Sequence, residues 1–358
     1  MGSMKNCAVS AFAFAILSCV VLFGNANLAV GDEGIEVMSM MGSIEVMDMN
    51  SGPVAPAGVA SHIVSVVPQT ARMLSNVPTS SWTYGCSATS AGMIFGYYDR
   101  IGYSNMYTGP ANGGVAPLTN LGAACSIIAT RQGFDGRSTP GHVDDYWTGN
   151  NKAGPDPWVD VRAEHVWGGC TADYMGTNQW KWDFSGDGKT DYNVDGSTAL
   201  CSYGSDYGGK LYDCIPSASA GLPQTELCHG MRLFAESRGY TVLENYTQSI
   251  DTIVSGGFSF NDYMDEINAG DPVMIQVVGH SMVGVGYDAS LNKVYLHDTW
   301  GDYTADMTWG GSYSGMLQQA VTVIHLAPVP EPGTLVMLLV FAVMSLIWYA
   351  RRQWQHAM

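Results

Sequence analysis

The chain has 358 residues, a formal net charge of −17 at pH 7, 46% apolar residues and only 13% charged ones. That length gives room for one large domain or two modest ones with a sizeable core. The acidic balance excludes the basic face that nucleic acid binding needs, and the 43 glycines point to a loop-rich fold rather than a helical bundle.

At the start, Lys5 precedes an apolar run over 8–23 and then Gly24-Asn25-Ala26. A positive residue, an apolar stretch and a small-x-small site predict a signal peptide over 1–26, cleaved after Ala26, with a retained anchor as the competing reading. Residues 27–75 are poor in aromatics and rich in Met, Ser and Pro, the composition of a linker or propeptide. A small repeat lies within them: Ile35-Glu36-Val37-Met38-Ser39-Met40 returns as Ile44-Glu45-Val46-Met47-Asp48-Met49. Composition favours a disordered spacer over a propeptide that blocks a site.

From 76 to 327 Trp, Tyr, Gly and apolar strands alternate, which predicts one domain. Its first feature is Gly85-Cys86-Ser87-Ala88-Thr89-Ser90-Ala91. Ala88, Ala91, Ile94, Phe95 and Tyr98 recur at helical spacing, and Gly85 supplies a tight turn before them. Cys86 therefore opens a helix, where unpaired backbone N–H groups and the helix dipole favour the thiolate. The competing role is half of a disulfide. Removal of the signal peptide leaves Cys86, Cys125, Cys170, Cys201, Cys214 and Cys228, and export permits bridges.

The segment from Pro140 to Trp147 reads as a surface turn packed by two aromatics rather than as a cleft wall. A Gly- and Asp-rich insertion follows near 150–220. Within it, Asp183, Ser185, Asp187 and Asp191 take positions 1, 3, 5 and 9 of a calcium-type loop. Gly188 holds the sixth position and Lys189 the seventh, where a backbone carbonyl serves. Position 12 is Val194 instead of an acid. Structural Ca2+ and a solvated Asp-Gly turn are both open readings.

His280 lies in Val277-Val278-Gly279-His280-Ser281-Met282-Val283-Gly284, a strand pattern in which an imidazole needs partners. A turn over 288–292 leads into a second strand that ends at His297-Asp298-Thr299-Trp300. Neighbouring strands bring His280 and Asp298 together, with the carboxylate orienting the ring. Strand alternation sends His297 to the other face. His142, His165 and His229 are the rival bases.

The chain closes with Pro330-Glu331-Pro332, an apolar run over 335–350 and Arg351-Arg352. At about 1.5 Å per residue the run falls slightly short of a ~30 Å hydrocarbon core, and the flanking Gly333 and Thr334 let it just span. Arginines behind it belong on the cytoplasmic side, which leaves the domain outside.

A Cys at a helix start, then His-Ser-Met-Val-Gly-Val-Gly-Tyr, then Asp-Thr-Trp resembles the papain-like cysteine peptidases. The sequence around Cys86 is most similar to the bacteriocin-leader (double-glycine) peptidase-like branch. The resemblance covers about 77–105 and 270–302. It implies an α+β papain-like fold, with the nucleophile helix packed on an antiparallel sheet. It also implies a Cys86, His280, Asp298 triad, a peptide or protein substrate and no required cofactor. The family's oxyanion Gln is missing before Cys86; Ser80 stands in its place, and Ser81, the Trp82 indole or the Cys86 N–H are the other substitutes. One lost oxyanion donor costs roughly 100- to 1000-fold in rate. Peptide hydrolysis is the leading reading. A catalytically inactive surface or matrix binding protein and transglutaminase-like acyl transfer are the others. The 328–358 tail resembles a PEP-CTERM sorting signal, which implies processing by an exosortase-type enzyme, transient anchoring in the inner membrane, and delivery to the cell surface or extracellular matrix.

Overall fold

The computed structural model describes residues 43–55, 63–64, 68, 71–83, 85–107, 115–120, 127–128, 168–177, 193, 195–217, 225–329, 340, 343–348 and 352. The strands in chain order are β1 (Ile44–Met49), β2 (Arg72–Met73), β3 (Thr79–Ser80), β4 (Thr119–Asn120), β5 (Thr198–Tyr203), β6 (Leu211–Tyr212) and β7 (Val242–Ser249). They continue as β8 (Val273–Val277), β9 (His280–Asp288), β10 (Lys293–His297), β11 (Ala305–Thr308), β12 (Ser312–Tyr313) and β13 (Met316–Leu326). The helices are α1 (Cys86–Arg100), α2 (Thr171–Met175), α3 (Leu227–Ser237) and α4 (Phe260–Ala269).

One large sheet runs in the order β11-β10-β9-β8-β13-β7-β6, with β12 on β13 and β2 on β9. Every pairing in it is antiparallel. Its central strands are apolar without alternation because both faces are covered. Met274, Val283, Tyr295 and Ile324 join the core beneath α1 and α3, while Ile275, Met282, Val294 and Val323 join a second core with Tyr263 and Ile267 of α4. This mixed architecture, with helices packed on an antiparallel sheet, is compatible with the expected α+β papain-like fold.

Helix α1 is buried from Cys86 to Asp99. Such a helix must be mostly apolar or small on all sides, and its buried carboxylate, Asp99, accepts from the Tyr107 and Ala116 N–H groups. Gly92 is one of the positions that permits this, since a Cβ there would lie 2.2 Å from the Ile128 side chain. α4 is fixed by a reciprocal cap between Ser259 and Asp262 and is closed by Gly270 in the left-handed region.

Two features depart from the expected organisation. The second repeat copy is a strand: β1 pairs with β5, Ile44 opposite Tyr203 through Met49 opposite Thr198. β2 extends the large sheet through Arg72 opposite Tyr287. The folded part therefore reaches into 27–75, which composition marked as spacer. Strand β1 escapes notice because its stability comes from β5, some 150 residues away, and not from its own pattern. The signal peptide, the first repeat copy, Cys125, the turn from Pro140 to Trp147 and the calcium-type loop of Asp183, Ser185, Asp187, Lys189 and Asp191 lie outside the described residues. In the tail, 343–348 is helical, and among the described residues no helix is long and apolar enough to cross a membrane.

Candidate active site

Cys86 is the first residue of α1 and Gly85 its N-cap, with φ 115°. Only glycine fits there: a Cβ would meet the Gly196 carbonyl oxygen at 2.5 Å. Thr89 ties the turn to the helix. Its hydroxyl donates to the Gly85 carbonyl at 2.7 Å and accepts from the Thr83 N–H at 2.9 Å. Thus the sequence holds Cys86 by backbone chemistry, with no side-chain cap on the helix.

Helix and sheet meet at Ser281. The Ser87 and Ser281 hydroxyls are 2.8 Å apart, and the Ser90 hydroxyl donates to the Ser281 carbonyl at 3.0 Å. Ser281 also donates to Gln276 Oε1 at 2.7 Å, and Gln276 donates to Thr322 at 3.0 Å. All five of these residues are buried. A chain of satisfied buried hydrogen bonds fixes one register of helix on sheet.

His280 follows a two-residue turn, Val278-Gly279, that joins β8 to β9, with Val277 opposite His280. Gly279 has φ 73°. The turn puts His280 at the end of the sheet, next to the residue that α1 grips. Its Nε2 lies 2.9 Å from the backbone carbonyl of Asp298. A carbonyl only accepts, so Nε2 carries the proton and Nδ1 keeps its lone pair. Nδ1 is buried and has no hydrogen-bond partner. The ring stacks on Trp300, with centroids 4.3 Å apart and planes 3° from parallel.

Asp298 meets His280 through its main chain, a correction to the expected carboxylate contact. The carboxylate turns away. Its Oδ1 accepts from the Trp300 N–H at 3.0 Å, and its Oδ2 accepts from the Tyr303 and Tyr313 hydroxyls at 2.8 and 2.5 Å. Thr299 adopts φ 69°, a costly conformation for a β-branched residue. That turn, braced by the carboxylate, aims the Asp298 carbonyl at the imidazole. His297 is set aside from the site, with Nδ1 2.9 Å from the Pro78 carbonyl. His229 is paired with Asp213 at 2.9 Å; His142 and His165 lie outside the described residues.

Electrostatics also differ from expectation. Burial pushes the Cys86 thiol up, against opposing N–H groups from Ser281, Ser87 and Ser51 and the Ser87 hydroxyl. Burial lowers His280 to about 4, with the Asp298 carbonyl opposing. The helix start alone favoured a thiolate; complete desolvation outweighs it here. The resting pair is a thiol and a neutral imidazole, and no hydrogen bond joins them. Cys86 forms no disulfide, so among the described residues the disulfide reading of Cys86 has no support.

The three side chains among the suggested oxyanion donors part company. The Ser80 hydroxyl donates to the Ser81 carbonyl at 3.2 Å, and Ser80 itself lies in β3. That Ser81 carbonyl also accepts from Thr83 at 3.1 Å. Trp82 alone sends a donor to a peptide beside Cys86: its indole N–H meets the Ser51 carbonyl at 2.9 Å. Nothing in the local sequence marks Ser281, Tyr303 or Tyr313 for these roles.

Residues 221–321 match the model of the Peptidase_C39 like family. The match takes in His280 and Asp298 and does not reach Cys86. No curated protein matches the chain, and no solved structure does. The match, together with the mixed fold, supports a papain-like cysteine peptidase family for this part of the chain.

Proposed function

We propose that the chain is a cysteine peptidase-like hydrolase in which Cys86 is the nucleophile and His280 the base. The observation that carries this is the state of His280: Nε2 is committed to the Asp298 carbonyl, and Nδ1 is unpartnered at the end of the sheet to which α1 brings Cys86. A free Nδ1 lone pair is the acceptor that a thiol proton needs.

In the proposed reaction the Cys86 sulfur attacks a peptide carbonyl as its proton passes to His280 Nδ1. The tetrahedral oxyanion collapses, the C–N bond breaks, and the imidazolium returns the proton to the leaving amine. Water, deprotonated by the same nitrogen, then cleaves the thioester and frees the thiol. Trp82 is the side chain best placed to donate to the oxyanion, in the role left by the missing Gln. Asp298 positions the ring through its carbonyl, and Trp300 keeps it planar against its stack. Export, sorting by an exosortase-type enzyme, membrane contact through 335–350 and structural Ca2+ at Asp183, Ser185, Asp187, Lys189 and Asp191 remain proposals from the sequence alone.

The test is alkylation of the folded chain by a chloroacetyl peptide, mapped by mass spectrometry. Selective labelling of Cys86 that falls by at least about 100-fold in His280→Ala, the usual scale of acid–base assistance, supports a nucleophile and base. Labelling of Cys86 indifferent to His280 refutes it. A binding protein without turnover is the second reading, favoured by the resting neutral pair; peptide binding without cleavage by a reactive Cys86 distinguishes it.

A further inference from the structure

The segment after β1 lies over the two candidate catalytic residues. The Asn50 and Ser51 N–H groups both approach the Gly279 carbonyl, at 3.1 and 2.9 Å, in the turn that carries His280. The Ser51 N–H is also among the groups that oppose the upward shift of the Cys86 thiol. The Ser51 carbonyl accepts from the Trp82 indole at 2.9 Å, and the Gly52 carbonyl accepts from the Trp300 indole at 3.0 Å. Trp300 is the ring stacked on His280. Three successive residues of one segment are thus held through their main-chain groups to both sides of the site. Upstream, Met49 is fully buried in the main core and β1 is zipped to β5. Side chains contribute little: Asn50 is exposed, and among the described residues the hydrogen-bond partner of the Ser51 hydroxyl is Met316 Sδ at 4.0 Å.

Main-chain recognition of an extended segment across a nucleophile is how a cleft binds a peptide. We propose that residues 49–52 occupy this protein's own peptide-binding cleft as a tethered strap, and that Trp82 and Trp300 are the clamps that grip the backbone of any peptide bound there. The substrate class follows from the occupant: a peptide with small residues, as Ser51 and Gly52 are, at the two clamped carbonyls. The strap also keeps the site shut. A tethered occupant competes at an effective concentration in the millimolar range, so an outside peptide must displace it. This proposal rests on the peptidase reading for the meaning of the cleft, while the strap itself does not.

The experiment measures the rate of Cys86 alkylation by iodoacetamide in the full chain, in a variant lacking 43–53, and in Ser51→Pro. The last removes the N–H that meets the Gly279 carbonyl and leaves Met49 in the core. Both variants should label at least tenfold faster than the full chain. A synthetic peptide of residues 43–55 should restore protection to the deletion variant, and a scrambled peptide should not. Trp82→Phe and Trp300→Phe in the deletion background should each weaken that peptide about fivefold to tenfold, the loss of one hydrogen bond. Should the deletion unfold by circular dichroism, Ser51→Pro decides. Full-chain labelling as fast as that of Ser51→Pro overturns the strap. Fast labelling of the strap-free protein that ignores His280→Ala leaves the strap standing and overturns the peptidase reading instead.

Discussion

Asp298→Asn separates two ways in which an aspartate can serve a histidine. Where a carboxylate bonds the ring directly, turning it into an amide costs about 10⁴ in rate, because the wrong tautomer is held. Here the ring bonds the Asp298 main-chain carbonyl, which the substitution keeps. The carboxylate instead gathers Tyr303, Tyr313 and the Trp300 N–H and is fully buried. An amide can still accept at Oδ1, but its NH2 faces two hydroxyls that were donors. One or two hydrogen bonds to a charge are lost at roughly 1.5–3 kcal/mol each. For a domain of this size about 3 kcal/mol lowers the melting temperature by roughly 6–12 °C. The alkylation rate of Cys86 at pH 7, measured on the Ser51→Pro background so that reagent can enter, should fall by less than about tenfold, on the view that only the turn loosens. A fall of a thousandfold or more with an unchanged melting temperature would refute this, and would mean that the carboxylate acts on the imidazole itself.

Gly85→Ala should destabilise the chain by more than about 2 kcal/mol, since the left-handed backbone and the Gly196 carbonyl both oppose a Cβ; thermal unfolding checks it. Ser281→Ala strips partners from Ser87 and Gln276, and about 1–3 kcal/mol should be lost; a variant that melts like the parent would show that the buried chain does not fix the helix. Acid should weaken the fold through His280. Its folded pKa of about 4 lies below the unfolded value of about 6.5, so the unfolded chain takes up the proton first, and stability is lost as pH falls from 6.5 through 4. Denaturant titrations at pH 7 and 4.5 should differ less in His280→Gln than in the parent. His325 has the opposite sign. Its hydrogen bond to Glu266 holds its pKa up, so the stability it lends is full below pH 6.5 and fades as pH rises past the raised value; the stability of His325→Gln should approach that of the parent as pH climbs.

Local chemistry made much of the site legible in the chain. Gly85 followed by small and apolar residues at helical spacing determines that Cys86 begins a helix. Alternating glycines around His280 and the turn over 288–292 determine two adjacent strands, β9 and β10, that carry His280 to one end and lead to Asp298. These are near-neighbour effects of turns, periodicity and sterics, which a sequence encodes within a few residues. Tertiary structure decided the rest because it depends on partners distant along the chain. That the Asp298 carbonyl and not its carboxylate meets the ring depends on Tyr303 and Tyr313 capturing the carboxylate. That Cys86 rests as a thiol depends on its complete burial, which overrides the helix end. And the 49–52 segment is a strap because β5 and two indoles hold it, none of which its own composition announces.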